Sequence, residues 1–220
     1  MTKKFGIIGN PIKHSLSPTL HNYWFEKYNI NARYSIIEAG NDKLQEVVSK
    51  IKSKEISGIN ITLPYKQKIV PFLDVLVNDA EITSSVNTLY LDSKGTIIGE
   101  NTDVFGLQAA YLKEVDDIKN KKALVIGAGG VSPSVILALQ KSGVNNISII
   151  NRTLDKCIFL KKKFKSLEII KWENLKEEIK NYDIIINATS LGLKNSQDFE
   201  FDFENVKTNL IYIDTIYNPL

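Results

Sequence analysis

Short apolar runs alternate with amphipathic stretches along the chain, and the alternation predicts most of its elements. Residues 5–9 (Phe5-Gly6-Ile7-Ile8-Gly9) form an apolar strand that stops at Asn10-Pro11. Ser17-Pro18 has the pattern of an N-cap followed by proline at the first helical position, opening a helix to about Tyr28. Residues 34–38 predict a strand, and Asn41-Asp42 caps a helix running to about Lys52. Residues 58–62 predict a strand ending at Pro64, and residues 66–72 and 75–82 predict short helices. Residues 88–91 and 96–99 predict a hairpin around the turn Asp92-Ser93-Lys94-Gly95. Strands alternating with helices imply a largely parallel sheet covered on both faces.

A second alternation follows. Residues 104–115 predict one amphipathic helix. Strands are then expected at 123–126, 147–150, 167–170, 183–187 and 210–214, with helices at 134–142, 154–164 and 175–181 between them. The expected organisation is a substrate-binding catalytic domain over residues 1–103 and a nucleotide-binding domain of Rossmann type over residues 104–220. The fold class is α/β, with a mixed, mostly parallel sheet in the first domain. No internal repeat or low-complexity segment interrupts the pattern.

Composition narrows the partners. With 220 residues, 43% of them hydrophobic, the chain can bury an ordinary globular core. The net charge of +3 is small, and the only lysine cluster, Lys161-Lys162-Lys163 with Lys165, alternates with Phe159, Leu160 and Phe164. That pattern reads as the wet side of a helix, not a nucleic-acid surface. No apolar run has membrane-spanning length, so no membrane partner is expected. The amino terminus enters a strand at once, which argues against a signal peptide and for a cytoplasmic protein, a monomer or homodimer. The single cysteine, Cys157, excludes an internal disulfide and reads as a packing residue.

Two polar clusters carry candidate chemistry. Lys66 closes the run Gly58-Ile59-Asn60-Ile61-Thr62-Leu63-Pro64-Tyr65-Lys66, and Asp103 closes Gly99-Glu100-Asn101-Thr102-Asp103. A lysine and a carboxylate at strand ends can share protons with a hydroxyl substrate. After the first strand, Ser15 and Ser17 stand two residues apart, a spacing that suits a carboxylate or a diol; His14 beside them reads as a loop stabiliser. Asn87 stands where another strand begins.

The strand at 123–126 runs into Gly127-Ala128-Gly129-Gly130-Val131, and a helix follows. Glycine permits the tight turn and close backbone approach, and the helix N-terminus attracts a pyrophosphate. Ser132 replaces the third glycine of the usual fingerprint but is still small. The next strand ends in Asn151-Arg152-Thr153, with Lys156 beyond and no acid for ribose hydroxyls. Arg152 can grip a 2′-phosphate, with Asn151 and Thr153 as hydrogen-bonding partners, so NADP is expected over NAD. Thr189 and Ser190, in Asn187-Ala188-Thr189-Ser190-Leu191-Gly192, suit either a ribose or nicotinamide contact or a polar loop with Ser190 as a helix cap. Together these features suggest an oxidoreductase acting on a small polyhydroxylated acid.

The ordered set of these motifs, from Gly9-Asn10-Pro11 and His14-Ser15-Leu16-Ser17-Pro18 to residues 214–219, resembles shikimate dehydrogenase over essentially the whole chain. The resemblance implies NADPH-dependent, reversible reduction of 3-dehydroshikimate to shikimate in aromatic amino-acid biosynthesis. It implies that Ser15 and Ser17 bind the substrate carboxylate. Asn60, Thr62, Asn87 and Asp103 would hold ring hydroxyls, Lys66 would be the acid/base, and Tyr217 would touch the substrate. The alternatives are a quinate/shikimate dehydrogenase and a non-catalytic NADP-binding protein. Two departures stand out. Val131-Ser132-Pro133-Ser134 replaces the alanines common after the glycine turn. The chain also ends at Asn218-Pro219-Leu220, where family members continue with a strand and helices that supply a substrate-binding glutamine, so that segment is expected to be lacking here.

Overall fold

In a computed structural model, which describes residues 2–192 and 204–216, the chain divides between Thr102 and Asp103 into two compact units. The first runs β1 (Lys3–Ile8), α1 (Ser17–Lys27), β2 (Ala32–Ile36), α2 (Leu44–Lys52), β3 (Gly58–Ile61), β4 (Val75–Leu76), α3 (Asp79–Thr83), β5 (Thr88–Leu91) and β6 (Ile97–Glu100). Its sheet has the order β2-β1-β3-β5-β6-β4. β1, β2 and β3 run parallel, β5 is antiparallel to β3 and to β6, and β4 is parallel to β6.

Period-two alternation sorts the side chains of this sheet. Ile8, Ile59 and Ile61 turn to the face covered by α2, whose Leu44, Val47, Val48 and Ile51 repeat at helical spacing and pack into the same core. Asn60, between Ile59 and Ile61, must therefore point to the opposite face. That face is thinner, with Ile7, Ile12 and Tyr34 buried under α1. The fold thus places a polar side chain in the middle of a strand, on the side where α1 brings its own polar residues.

The local pattern misjudged several elements. The predicted helix at 66–72 is a series of turns ending in a 3-10 turn at Val70–Phe72; Pro71 within it lacks the N–H that a continuing helix needs. The predicted helix at 75–82 splits: Val75 and Leu76 pair with Ile98 and Gly99 as a strand, and only Asp79–Thr83 is helical. Two apolar residues in a row do not distinguish the two periods. Asn41–Lys43 forms a 3-10 turn before α2, with no side-chain cap. Ser17 is not the N-cap of α1 but its first residue; Leu16 precedes it, and Ser17 N–H donates to the Ser15 hydroxyl at 3.3 Å. The hairpin is as expected: the Asp92 carboxylate accepts the N–H groups of Lys94 and Thr96, both at 2.8 Å, around Gly95 at φ +85°.

The second unit runs α4 (Asp103–Ala110), β7 (Lys122–Ile126), α5 (Ser132–Lys141), β8 (Asn146–Ile150), α6 (Leu154–Lys163), β9 (Glu168–Ile170), α7 (Leu175–Glu178), β10 (Ile184–Asn187) and β11 (Ile211–Asp214). All five predicted strands are present, every pairing is parallel, and the order is β11-β10-β7-β8-β9. This is the open, wound sheet of a Rossmann-type unit. Ala123 and Val125 of β7 pack toward α4, α5 and α6, while Leu124 and Ile126 pack toward Ile179 and Tyr182 on the other face. A sheet buried on both faces reads as continuous apolar runs, which is why these strands were legible. The predicted helix at 104–115 is shorter than expected, with a separate 3-10 turn at Leu112–Glu114, and α5 starts two residues early.

Candidate active site

In the first unit, residues far apart in sequence join into one hydrogen-bonded row. Asn60 Oδ1 accepts from the Tyr34 hydroxyl at 2.7 Å, and Asn60 Nδ2 donates to the Asn87 carbonyl and to Thr88 Oγ1, both at 3.2 Å. Thr88 Oγ1 donates to Asn87 Oδ1 at 3.1 Å. Asn87 in turn donates to Thr102 Oγ1 and accepts the Thr102 N–H, both at 2.9 Å. At the other end the Ser17 hydroxyl hydrogen-bonds the Tyr34 phenol. Burial raises the pKa of that phenol, so it stays protonated and able to donate. Of the predicted substrate residues, Ser15, Ser17, Asn60 and Asn87 therefore stand along one connected surface.

Lys66 and Thr62 are held by their flanks. Both cis peptide bonds of the chain's described part, Asn10-Pro11 and Leu63-Pro64, lie in loops that meet here: Asn10 N–H donates to the Leu63 carbonyl at 2.8 Å. Tyr65 is buried and its hydroxyl donates to the Ala39 carbonyl at 3.1 Å. The Lys66 carbonyl accepts the Val86 N–H at 2.8 Å. Tyr65 and the Lys66 carbonyl thus anchor the main chain, and the lysine side chain is half-buried. Asn101, part of the second polar run, turns inward and donates to the Ser85 carbonyl at 2.7 Å; its role is to hold the chain before Asp103. Asp103 is the first residue of α4 in the second unit, where unpaired helix N–H groups favour a carboxylate.

Several of the nucleotide candidates are joined by hydrogen bonds. Gly127 sits at φ +108°, and a Cβ there would lie 2.8 Å from the Ala188 carbonyl oxygen. Only glycine fits, because the turn after β7 packs directly against the main chain at the end of β10. Ala128 N–H donates to Asn151 Oδ1 at 3.2 Å, and Asn151 Nδ2 donates to the Thr153 carbonyl at 2.9 Å. Asn151 thus ties the glycine turn to the end of β8. Ser132 is buried and accepts the Gly129 N–H at 2.9 Å, so the serine that departs from the fingerprint also stiffens the turn. Thr153 precedes α6 without a side-chain cap bond. Arg152 is exposed and lies 5.6 Å from the centre of the Trp172 ring, a cation–π contact that sequence reading missed. Gly130, Val131 and Lys156 stand where expected, at the turn and on the first turn of α6.

Asn187, expected as the last residue of a strand, is fully buried at the end of β10 and carries contacts that sequence reading did not assign it. It donates to both Asp214 oxygens at 3.1 and 3.2 Å, and its Oδ1 accepts from the Thr189 hydroxyl at 2.7 Å. Thr189 is therefore oriented by Asn187, and Ser190 is exposed in the following turn. Tyr217 lies outside the described residues. Among the described residues there is no cluster of side chains able to hold a metal and no helix long and apolar enough to cross a membrane.

The family described as shikimate dehydrogenase substrate binding domain matches residues 7–89, and the one described as shikimate / quinate 5-dehydrogenase matches residues 109–214. A shikimate dehydrogenase (NADP(+)) of Pelagibacter ubique is 47% identical over 220 residues, covering 100% of this chain and 81% of that protein. The chain belongs to the shikimate dehydrogenase family.

Solved members of the family share its fold. The shikimate dehydrogenase of Aquifex aeolicus superposes with a TM-score of 0.89 at 36% identity, over 98% of this chain and 79% of that one. The shikimate 5-dehydrogenase of Thermus thermophilus, solved with NADP(H) and shikimate, gives 0.86 at 27% identity, over 99% and 80%.

Proposed function

We propose that this family member reduces 3-dehydroshikimate reversibly to shikimate with NADPH, in aromatic amino-acid biosynthesis. The observation that carries the reading is the hydrogen-bonded row of Ser17, Tyr34, Asn60, Asn87 and Thr102, which presents hydroxyl and amide groups suited to a small acid with several hydroxyls. Ser15 and Ser17 receive the carboxylate. Asn60, Thr62, Asn87 and Asp103 hold ring hydroxyls, and Tyr217 adds a contact.

The glycine turn between β7 and the helix N-terminus of α5 suits a dinucleotide, and Gly127, Ala128, Gly129, Gly130 and Val131 would hold its pyrophosphate. Arg152, with Thr153 and Lys156, favours the 2′-phosphate of NADP, while Asn151 sets the turn; Thr189 and Ser190 lie toward the ribose or nicotinamide. When bound, NADPH supplies a hydride to the carbonyl carbon. Lys66 as an ammonium donates its proton to the ketone oxygen, giving the alcohol, and in the reverse direction takes that proton back. Asp103 is assigned as the lysine's partner in this acid/base work. The two domains, residues 1–103 and 104–220, divide substrate and cofactor between them.

The test follows NADPH absorbance with 3-dehydroshikimate, with NADH and with quinate as the alternative substrate in the reverse direction. Rapid turnover with NADPH and little with NADH is expected. Lys66→Ala should remove most turnover and leave NADPH affinity near normal. An equal loss of both would defeat the role given to Lys66, and preferred turnover of quinate with NAD would favour the quinate reading.

A further inference from the structure

β2 lies at the edge of its sheet, and a strand edge leaves main-chain N–H and carbonyl groups without a ladder partner. At Tyr34 both are closed by one side chain of α1. Asn22 Oδ1 accepts the Tyr34 N–H at 2.9 Å, and Asn22 Nδ2 donates to the Tyr34 carbonyl at 2.8 Å. The preceding residue, His21, lies flat on the Tyr34 ring, with centroids 4.3 Å apart and planes 8° from parallel. Burial lowers the pKa of that imidazole, which keeps it neutral against the ring. Main chain and ring are thus both held, and only the hydroxyl remains to be placed.

That hydroxyl meets two of the residues assigned to substrate. It donates to Asn60 Oδ1 at 2.7 Å and is hydrogen-bonded by Ser17. The direction is fixed from the far side. Asn60 Nδ2 faces the Asn87 carbonyl at 3.2 Å, and a carbonyl can only accept, so the amide oxygen must face the phenol. The second Nδ2 hydrogen goes to Thr88 Oγ1 at 3.2 Å. Both donors of Asn60 and one lone pair of its oxygen are then in use. What Asn60 has left for a ligand is an acceptor.

We propose that Tyr34 is a positioning residue for substrate recognition: clamped by Asn22 and stacked on His21, its hydroxyl joins Ser17 to Asn60 and holds the Asn60 oxygen ready to accept a hydrogen bond from a substrate hydroxyl. A carboxylate arriving at Ser17 takes over the serine hydrogen, and the phenol keeps its own bond to Asn60. The inference rests on the shikimate dehydrogenase reading of Ser17 and Asn60.

Tyr34→Phe keeps the ring, its stacking and its volume and removes only the hydroxyl. One hydrogen bond is worth about 0.5–1.5 kcal/mol, so shikimate affinity measured by calorimetry on the full chain should weaken roughly five-fold. NADP+ affinity, measured the same way, should not change. Asn22→Ala loosens the clamp without touching the hydroxyl and should show the same selective loss, and it decides the matter if Tyr34→Phe does not fold. Unchanged shikimate affinity in the variant, or equal weakening of both ligands, overturns the positioning role while leaving the function intact. Absence of shikimate binding by the unaltered chain overturns the functional reading and this inference with it.

Discussion

Replacing Gly127 by alanine tests whether the nucleotide cradle exists for steric reasons. At φ +108° an L residue is strained by about 1–3 kcal/mol before any contact is counted. The added Cβ would also lie 2.8 Å from the Ala188 oxygen, 2.9 Å from the Ala188 carbonyl carbon and 2.9 Å from Thr189 Cγ2. The first two are backbone atoms, and they cannot yield easily: Ile126 and Asn187, just before each glycine-loop partner, are paired neighbours in β7 and β10. Overpacking of this kind costs about 1–3 kcal/mol, for a combined loss of about 2–6 kcal/mol. Gly129→Ala is the matched control, because its nearest neighbour lies at 3.8 Å and its φ is not in the left-handed range. Urea unfolding in a Trp24→Phe background reads this unit through Trp172. Gly127→Ala should lower the midpoint by about 1–3 M, if the urea slope is about 2 kcal/mol/M, and weaken NADP+ at least ten-fold. A Gly127→Ala chain as stable as the Gly129→Ala control would refute the steric argument.

Other expectations follow from single contacts. Arg152→Ala should weaken NADPH far more than NADH in a binding titration; an equal loss would point to a structural role for Arg152, such as its contact with Trp172. Burial works to raise the Asp183 pKa, but bonds from Lys122 N–H and Lys207, at 2.8 and 2.7 Å, outweigh it and leave the pKa below its usual 3.8. The native carboxylate therefore binds protons less readily than the unfolded one. Its contribution is complete above about pH 4 and is lost as pH falls through the lower native value. Asp183→Asn should cost about 1–2 kcal/mol at neutral pH and flatten the acid slope of stability, measured by urea unfolding at several pH values. Cys157 is buried, and burial pushes its thiol up to about 11. A thiol reagent should label it orders of magnitude more slowly in the native than in the unfolded chain; fast native labelling would contradict its packing role.

The sequence by itself determined the strands of the second unit, because a parallel sheet buried on both faces requires unbroken apolar runs at 123–126, 147–150 and 183–187. It also determined the glycine turn and the order of the polar motifs, since those depend on residue type and local spacing. Helix ends and the stretches at 66–72 and 75–82 were not legible, because the choice between a turn, a strand and a helix there depends on Pro71 and on pairing with β6. Tertiary structure alone decided which polar residues meet. Asn60 faces α1 because both its neighbours are drawn into the core on the other side of β3. Tyr34 carries no motif and Asn187 opens one without an assigned role, yet each is placed by partners more than ten residues away, Asn22 and Asn60 for the first and Asp214 for the second. Hydrogen bonds between distant segments leave no periodic trace in a sequence; they come into being only when the sheet register brings their strands together.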